Sequence, residues 1–226
     1  MIVNTPHNPT GRIYDDNTLK ALADLLERAS ARYGHRVFLL SDEPYRRLRF
    51  HGRGFTSPAS FYPWTLISYG GKILLAPGQR VGYLAISPTM PTGERKALRD
   101  VMFSTQMALG WCFPNAVMQY ALPDLEKLSI DLTALARRRD LLTATLTKAG
   151  YEVILPEGTF YLWTKWPKGN AEHHWNRLAD RDVLVLPGSI MNTTNYFRIS
   201  LTASDLMVER ALAAFREEPR DLISAC

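Results

Sequence analysis

The sequence predicts an α/β protein: a first part built on an open α/β sheet, then a smaller α/β unit. Three observations lead there. Short apolar runs that suit strands are interleaved with amphipathic stretches that suit helices. Asn8, Asp42, Tyr45 and Lys72 all fall just after strand-like runs, and ligands of open α/β sheets bind beyond the carboxyl ends of the strands. A length of 226 residues, 46% hydrophobic and 22% charged, suits one large domain or two small ones with packed cores.

Ile2-Val3 reads as the end of a strand, and NTPHNPTG, residues 4–11, is a turn or loop rich in proline and asparagine. Asp15 or Asp16 caps a helix running to Tyr33, with Leu19, Leu22, Leu26 and Ala29 at helical spacing, and Gly34 ends it. Residues 37–40 form a continuous apolar run suited to a strand covered on both faces. Pro44 stops it, which leaves Asp42 and Tyr45 at its carboxyl edge. Residues 65–68 and 81–86 are the next strands. Helices are expected over 94–103 and 116–122, with Pro114 and Pro123 as breaks, and over 131–148, closed by Gly150. A second α/β unit then follows. Its strands are expected near 152–155, 160–166, 183–186 and 196–201, and its helices near 171–180 and 205–216. The boundary falls near residue 129, giving domains 1–128 and 129–226.

The stretch with the most chemistry is Ser68-Tyr69-Gly70-Gly71-Lys72, followed by Arg80 and Gly82. Two glycines let the backbone take positive φ and approach a ligand closely. Successive backbone N–H groups in such a turn make a concavity suited to phosphate, and Arg80 can clamp the same phosphate with its planar fork. A lysine partly withdrawn from water is more often the neutral nucleophile. A nucleophilic lysine beside a phosphate site is what an aldehyde cofactor with a phosphate handle needs, and pyridoxal 5'-phosphate is that cofactor. Taken singly, each motif also has a plain structural reading: an exposed loop lysine, a capping aspartate, an Asn-Pro turn.

Together the motifs resemble the class I/II aminotransferases of fold-type I. The resemblance is carried by NTPHNPTG, by Asp42 and Tyr45 in D-x-x-Y, by Lys72, Arg80 and Gly82, and by Arg198 within YFRISL. It runs in order over essentially the whole chain. It implies a three-layer α/β/α large domain of the pyridoxal-phosphate transferase type, present in part, followed by the small domain. Lys72 then carries the cofactor as a Schiff base and shuttles the proton. Asp42 pairs with the ring nitrogen, Tyr45 and Asn8 hydrogen-bond the 3'-oxygen, Arg80 holds the phosphate, and Arg198 grips the substrate α-carboxylate. The family's serine three residues before the lysine is Tyr69 here, so Ser68 is the nearest candidate for that phosphate contact. The implied reaction moves an amino group between an α-amino acid and a 2-oxo acid, in a homodimer if the family's N-terminal part is present, and the two distant cysteines make a reduced cytoplasm the default setting. Two alternatives stay open: another fold-type I reaction such as a β-lyase, and a catalytically incompetent remnant. The family carries a long further stretch ahead of NTPHNPTG, so the 226-residue chain alone is expected to bind the cofactor weakly and transaminate poorly.

Composition excludes other classes. There are 27 basic and 22 acidic residues, for a net charge of +5. The basic cluster Arg137-Arg138-Arg139 precedes Asp140 and reads as a solvated helix face, not a nucleic-acid patch. No apolar run is long enough to span a bilayer. Two distant cysteines make neither a disulfide framework nor a zinc site. His173 and His174 are adjacent on a helix and point apart, so no metal face is expected. Lys72→Ala should abolish the visible absorbance of bound cofactor and lower catalysis by several orders of magnitude, because nucleophile and proton carrier are one group. Borohydride reduction and peptide mapping check this: the pyridoxyl label should fall on Lys72 and on no other lysine.

Overall fold

The computed structural model describes residues 1–70, 78, 80–111, 113–128, 130–167 and 170–221. Contacts divide the chain into two units. The first holds Met1–Pro6, Ile13–Arg47 and Gly54–Ile130. The second holds most of the chain from Asp131 onward, together with His7–Arg12 and Leu48–Arg53. Two short segments of the N-terminal half thus group with the C-terminal unit.

The first unit is built on four strands in the order β1 (Ile2–Asn4), β2 (Leu39–Asp42), β3 (Thr65–Gly70) and β4 (Gly82–Ile86). The first three run parallel and β4 is antiparallel to β3. Helix α1 (Asp16–Tyr33) starts at Asp15, whose carboxylate accepts from the Thr18 N–H at 2.7 Å, and stops at Gly34 with φ 70°. It buries Leu19, Ala23 and Leu26, and Ala23 and Leu26 belong to one core cluster with Val3, Leu39, Tyr62 and Trp64. Strand β2 begins two residues later than the apolar run does. The Val37 N–H donates to Ser30 Oγ on α1, and its carbonyl accepts from the Tyr62 hydroxyl, so that residue is tied to helix and loop, not to the ladder. Helix α2 (Thr92–Ala108) is longer than its sequence signal and buries none of its residues fully. Helix α3 (Ala116–Leu125) runs through Pro123, because Glu126 N–H still closes the last turn on Leu122 O.

The second unit is an antiparallel sheet in the order β5 (Glu152–Ile154), β6 (Tyr161–Lys165), β8 (Tyr196–Ser200) and β7 (Leu186–Pro187). It packs with helices α4 (Leu132–Lys148), α5 (Ala171–Ala179) and α6 (Asp205–Asp221). Phe197, fully buried, sits 3.9 Å from the Trp166 ring and within aromatic contact of Tyr151 and Phe215. The strand expected over 183–186 contributes only Leu186–Pro187. Residues before it finish the α5 turn: Val183 N–H donates to Leu178 O, and Val185 O accepts from the Trp175 indole at 3.0 Å.

The triple-arginine segment is not a uniformly solvated face. Arg137 and Arg138 both pair with Asp205, and these two cations hold the Asp205 carboxyl below the usual carboxylate range. Arg139 is only 1% exposed. Its guanidinium lies 4.3 Å from the Phe50 ring and pairs with Asp140 and His51. That contact is one reason why residues 48–53 group with this unit.

The turn 7–12 is tied in by backbone. Glu157 and Gly158 N–H groups both donate to Gly11 O, at 3.0 and 2.9 Å. Gly11 has φ 70°, and a Cβ there would lie 2.3 Å from Pro156 Cβ and 2.8 Å from Gly158 O. Gly11→Ala should therefore destabilise this unit by about 2–4 kcal/mol, combining left-handed strain with an unrelieved backbone clash. Denaturant unfolding of the wild type and the variant measures it.

Candidate active site

In the first unit, the residues singled out by sequence gather at the carboxyl ends of the parallel strands. Asp42 is the last residue of β2, and its register partners are Asn4 at the end of β1 and Ser68 in β3. The Asn4 amide donates both to Asp42 Oδ2 at 2.9 Å and to Asp42 O at 3.0 Å. One side chain thus fixes the carboxylate and the strand end that carries it. Asp42, Pro44, Ser68, Gly70, Arg80 and Tyr83 line a cleft of ≈ 520 Å³. Gly70 has φ 102°, a conformation an L side chain rarely adopts, and Arg80 stands exposed with φ 50°. Lys72 lies outside the described residues. Tyr45 does not line that cleft; its side chain is 1% exposed and belongs to the packed interior.

Asn4 and Glu43 are the site residues that sequence reasoning missed. Asn4 opens the NTPHNPTG string, so its place at a strand end was readable, although its partner 38 residues away was not. Glu43 follows Asp42 directly and is fully buried on the other side of the chain. Ser41 Oγ and Ser57 Oγ both donate to its Oε1, and Arg46 lies 3.8 Å from Oε2. Burial pushes the Glu43 carboxyl up; the two serine hydrogen bonds and Arg46 oppose this, and the Asp42 charge adds to it. Ser57 also caps a 3-10 turn, accepting from the Ala59 N–H. The carboxyl therefore ties the end of β2 to the loop that leads into β3.

The second unit holds the other candidates. Asn8 and Arg198, 190 residues apart, are hydrogen-bonded: Arg198 Nη1 donates to Asn8 Oδ1 at 2.9 Å. The Arg198 guanidinium carbon lies 4.0 Å from the centroid of the Tyr161 ring. Among the described residues, no carboxylate pairs with Arg198. Thr159, with φ 71° and no exposure, leads into β6. Its N–H donates to Leu48 O, and its hydroxyl accepts from the Tyr161 N–H. A β-branched residue in that conformation is strained, and these bonds hold it where Tyr161 enters the sheet. In the loop, His7 Nδ1 pairs with Thr10 Oγ1 at 2.8 Å, and burial pushes the imidazole pKa down.

Among the described residues, no cluster of three or more His, Cys, Asp or Glu is placed to hold a metal, and no helix is long and apolar enough to cross a membrane. The sequence model of the family "Aminotransferase class I and II" matches residues 1–215. The chain belongs to that family. It is 31% identical over 229 residues to the aspartate/prephenate aminotransferase of Thermus thermophilus, covering 95% of this chain and 55% of the relative. It is 30% identical to the aspartate aminotransferase of Thermococcus kodakarensis, covering 96% and 56%. A crystal structure of an aminotransferase from Eubacterium rectale superposes with a TM-score of 0.87 at 28% identity, over 97% of this chain and 55% of that one. The chain thus spans about half the length of the curated relatives it matches, and its fold is that of their α/β class.

Glu43 gives this site a measurable pH signature. Its folded pKa is raised above 4.5, so the neutral form is the one the fold favours. That contribution is complete below pH 4.5 and is lost as pH rises through the raised value. Glu43→Gln keeps an acceptor for both serines and has no charge to bury. The stability of wild type minus variant should fall as pH rises through this window, as urea unfolding at a series of pH values would read.

Proposed function

We propose that this chain carries the cofactor and substrate machinery of a pyridoxal 5'-phosphate-dependent aminotransferase, acting between an α-amino acid and a 2-oxo acid. The observation that carries the reading is the cleft at the carboxyl ends of the parallel strands, where Asp42, Ser68 and Arg80 stand together. The donor set fits the cofactor. A carboxylate locked by Asn4 suits a protonated ring nitrogen. An exposed guanidinium and a serine hydroxyl suit a phosphate. The cleft volume is adequate for a substituted pyridine ring.

Bound pyridoxal phosphate supplies an aldehyde for amine capture and a ring that takes up the electron pair released at the substrate Cα. The chain's own residues supply the rest. Asp42 would pair with the ring nitrogen and hold its proton in place. Arg80 and Ser68 bind the phosphate. Lys72 would be the attachment point, and its amine, once displaced by the substrate amine, would move the proton between Cα and the cofactor's C4'. Asn8, which accepts from Arg198 at Oδ1, is the proposed hydrogen-bond partner of the 3'-oxygen. Arg198 binds the α-carboxylate through two parallel N–H bonds. Relatives named as aspartate and aspartate/prephenate aminotransferases make aspartate the first amino donor to assay. A homodimer and a cytoplasmic setting belong to the same proposal.

The test is to add pyridoxal phosphate to the purified protein, record its visible spectrum and assay transamination from aspartate to a 2-oxo acid. Within that assay, Arg198→Ala should raise KM for α-amino acids, with a loss of about 2–5 kcal/mol in substrate recognition. Cofactor binding and reaction with simple amines should change little. Equal losses for amino acids and amines would remove Arg198 from the carboxylate role.

A further inference from the structure

The antiparallel register pairs Tyr161 with Ser200, Trp163 with Arg198 and Lys165 with Tyr196. Directly opposed residues share a face, and alternate residues along each strand share it too. One face of this ladder therefore carries Tyr161, Trp163, Tyr196 and Arg198. The other carries Leu162, Thr164, Phe197 and Ile199, all buried. On the first face, the Trp163 and Tyr196 rings stack with 4° between their planes, and Tyr161 is the diagonal neighbour of Arg198. The Tyr161 ring covers one flat side of the guanidinium at 4.0 Å, and Asn8 Oδ1 takes a hydrogen bond from Nη1.

We infer that Tyr161 is a positioning residue for the substrate carboxylate. Its ring sets the plane of the Arg198 guanidinium, and Asn8 sets the rotation within that plane. This deepens the proposed function and rests on Arg198 as the carboxylate partner. A guanidinium binds carboxylate through two coplanar N–H bonds, so a cation already held in plane loses less freedom when the anion arrives. A flexible arginine must be ordered at that moment. The ring face does this work, so it depends on the aromatic π-system and not on the phenol oxygen.

The experiment compares the full wild-type chain with Tyr161→Phe, Tyr161→Leu and Tyr161→Met. Each is titrated calorimetrically with pyruvate, a monocarboxylic 2-oxo acid, and the Arg198 Nε–H resonance is followed by 15N NMR. Circular dichroism confirms folding, and methionine gives a second ring-free side chain should leucine fail to pack. Tyr161→Phe should match the wild type within about twofold. The ring-free variants should weaken pyruvate binding roughly 3- to 30-fold, the range of a partly desolvated cation–π contact. Their Arg198 resonance should show faster guanidinium rotation. In turnover with aspartate, KM should rise by the same factor with kcat unchanged. Wild-type affinity in the ring-free variants overturns the role of Tyr161 and leaves the carboxylate role of Arg198 standing. A loss in Tyr161→Phe equal to that in Tyr161→Leu overturns it as well, by assigning the effect to the hydroxyl. No pyruvate binding by the wild type overturns Arg198 itself and the inference with it. Pyruvate binding with the expected dependence on Tyr161, but no transamination, would sink the aminotransferase reading alone.

Discussion

The first unit depends on where three parallel strands stop. Their ladder ends at Asn4, Asp42 and Ser68, and the same bonds that finish the sheet place the chemistry. Asn4 holds both the carboxylate and the carbonyl of Asp42, Thr5 N–H donates to that carbonyl as well, and Glu43 N–H donates to Ser68 O. The last carbonyls of a parallel ladder need donors from beyond the paired residues, and a buried carbonyl without a donor is costly. Here they are satisfied by the residues that begin the next loops. A shift of β2 by one residue would send Asp42 to the opposite face and bring Glu43 into the cleft, so the register is itself a functional constraint.

That alternation explains how two adjacent carboxyl groups serve different ends. Asp42 faces a half-open cleft and is held by an amide. Glu43 faces the interior, where desolvation favours its neutral form, and two serine hydroxyls bind it. Burial opposes the charged form of Glu43, while the two serine hydroxyls and Arg46 favour it, and the hydrogen bonds tie the strand end to the loop. The Asp42 charge pushes the same way as burial, so the two groups reinforce the division instead of competing for one site.

Much of this was legible because it is local. Helix α1 announced itself through its apolar spacing, its capping aspartate and Gly34, and the end of β2 at Asp42 followed from an apolar run and the breaker Pro44. What was not legible depends on partners far along the chain. Val37 looks like a strand residue, yet its backbone is spoken for by Ser30 and Tyr62. Residues 183–185 look like a strand, but they complete the α5 turn and feed the Trp175 indole. Arg139 looks like one charge in a solvated run, and it is buried because Phe50 offers it a ring face. The motif NTPHNPTG reads as one unit, although Asn4 binds Asp42 whereas Asn8 binds Arg198. No periodicity carries such pairings, since their sequence separations are set only when the fold closes.

The second unit shows why a motif can be correct while its internal bonding goes unseen. An arginine in the apolar strand YFRIS must find water, an anion or a substitute for either. In β8 it finds a substitute on two sides, an aromatic face from β6 and an amide from the loop of residues 7–12. Neither neutralises it, because a ring quadrupole and a carbonyl dipole attract a cation without discharging it. The arrangement therefore keeps a full positive charge in a half-buried position with its plane and one edge already committed. The strain at Thr159 and the close backbone approach at Gly11 fall on the two segments that deliver Tyr161 and Asn8 to that arginine. Backbone strain persists only where the surrounding structure over-determines it. In this unit, what it holds in place is an ordered cation that has no carboxylate partner among the described residues.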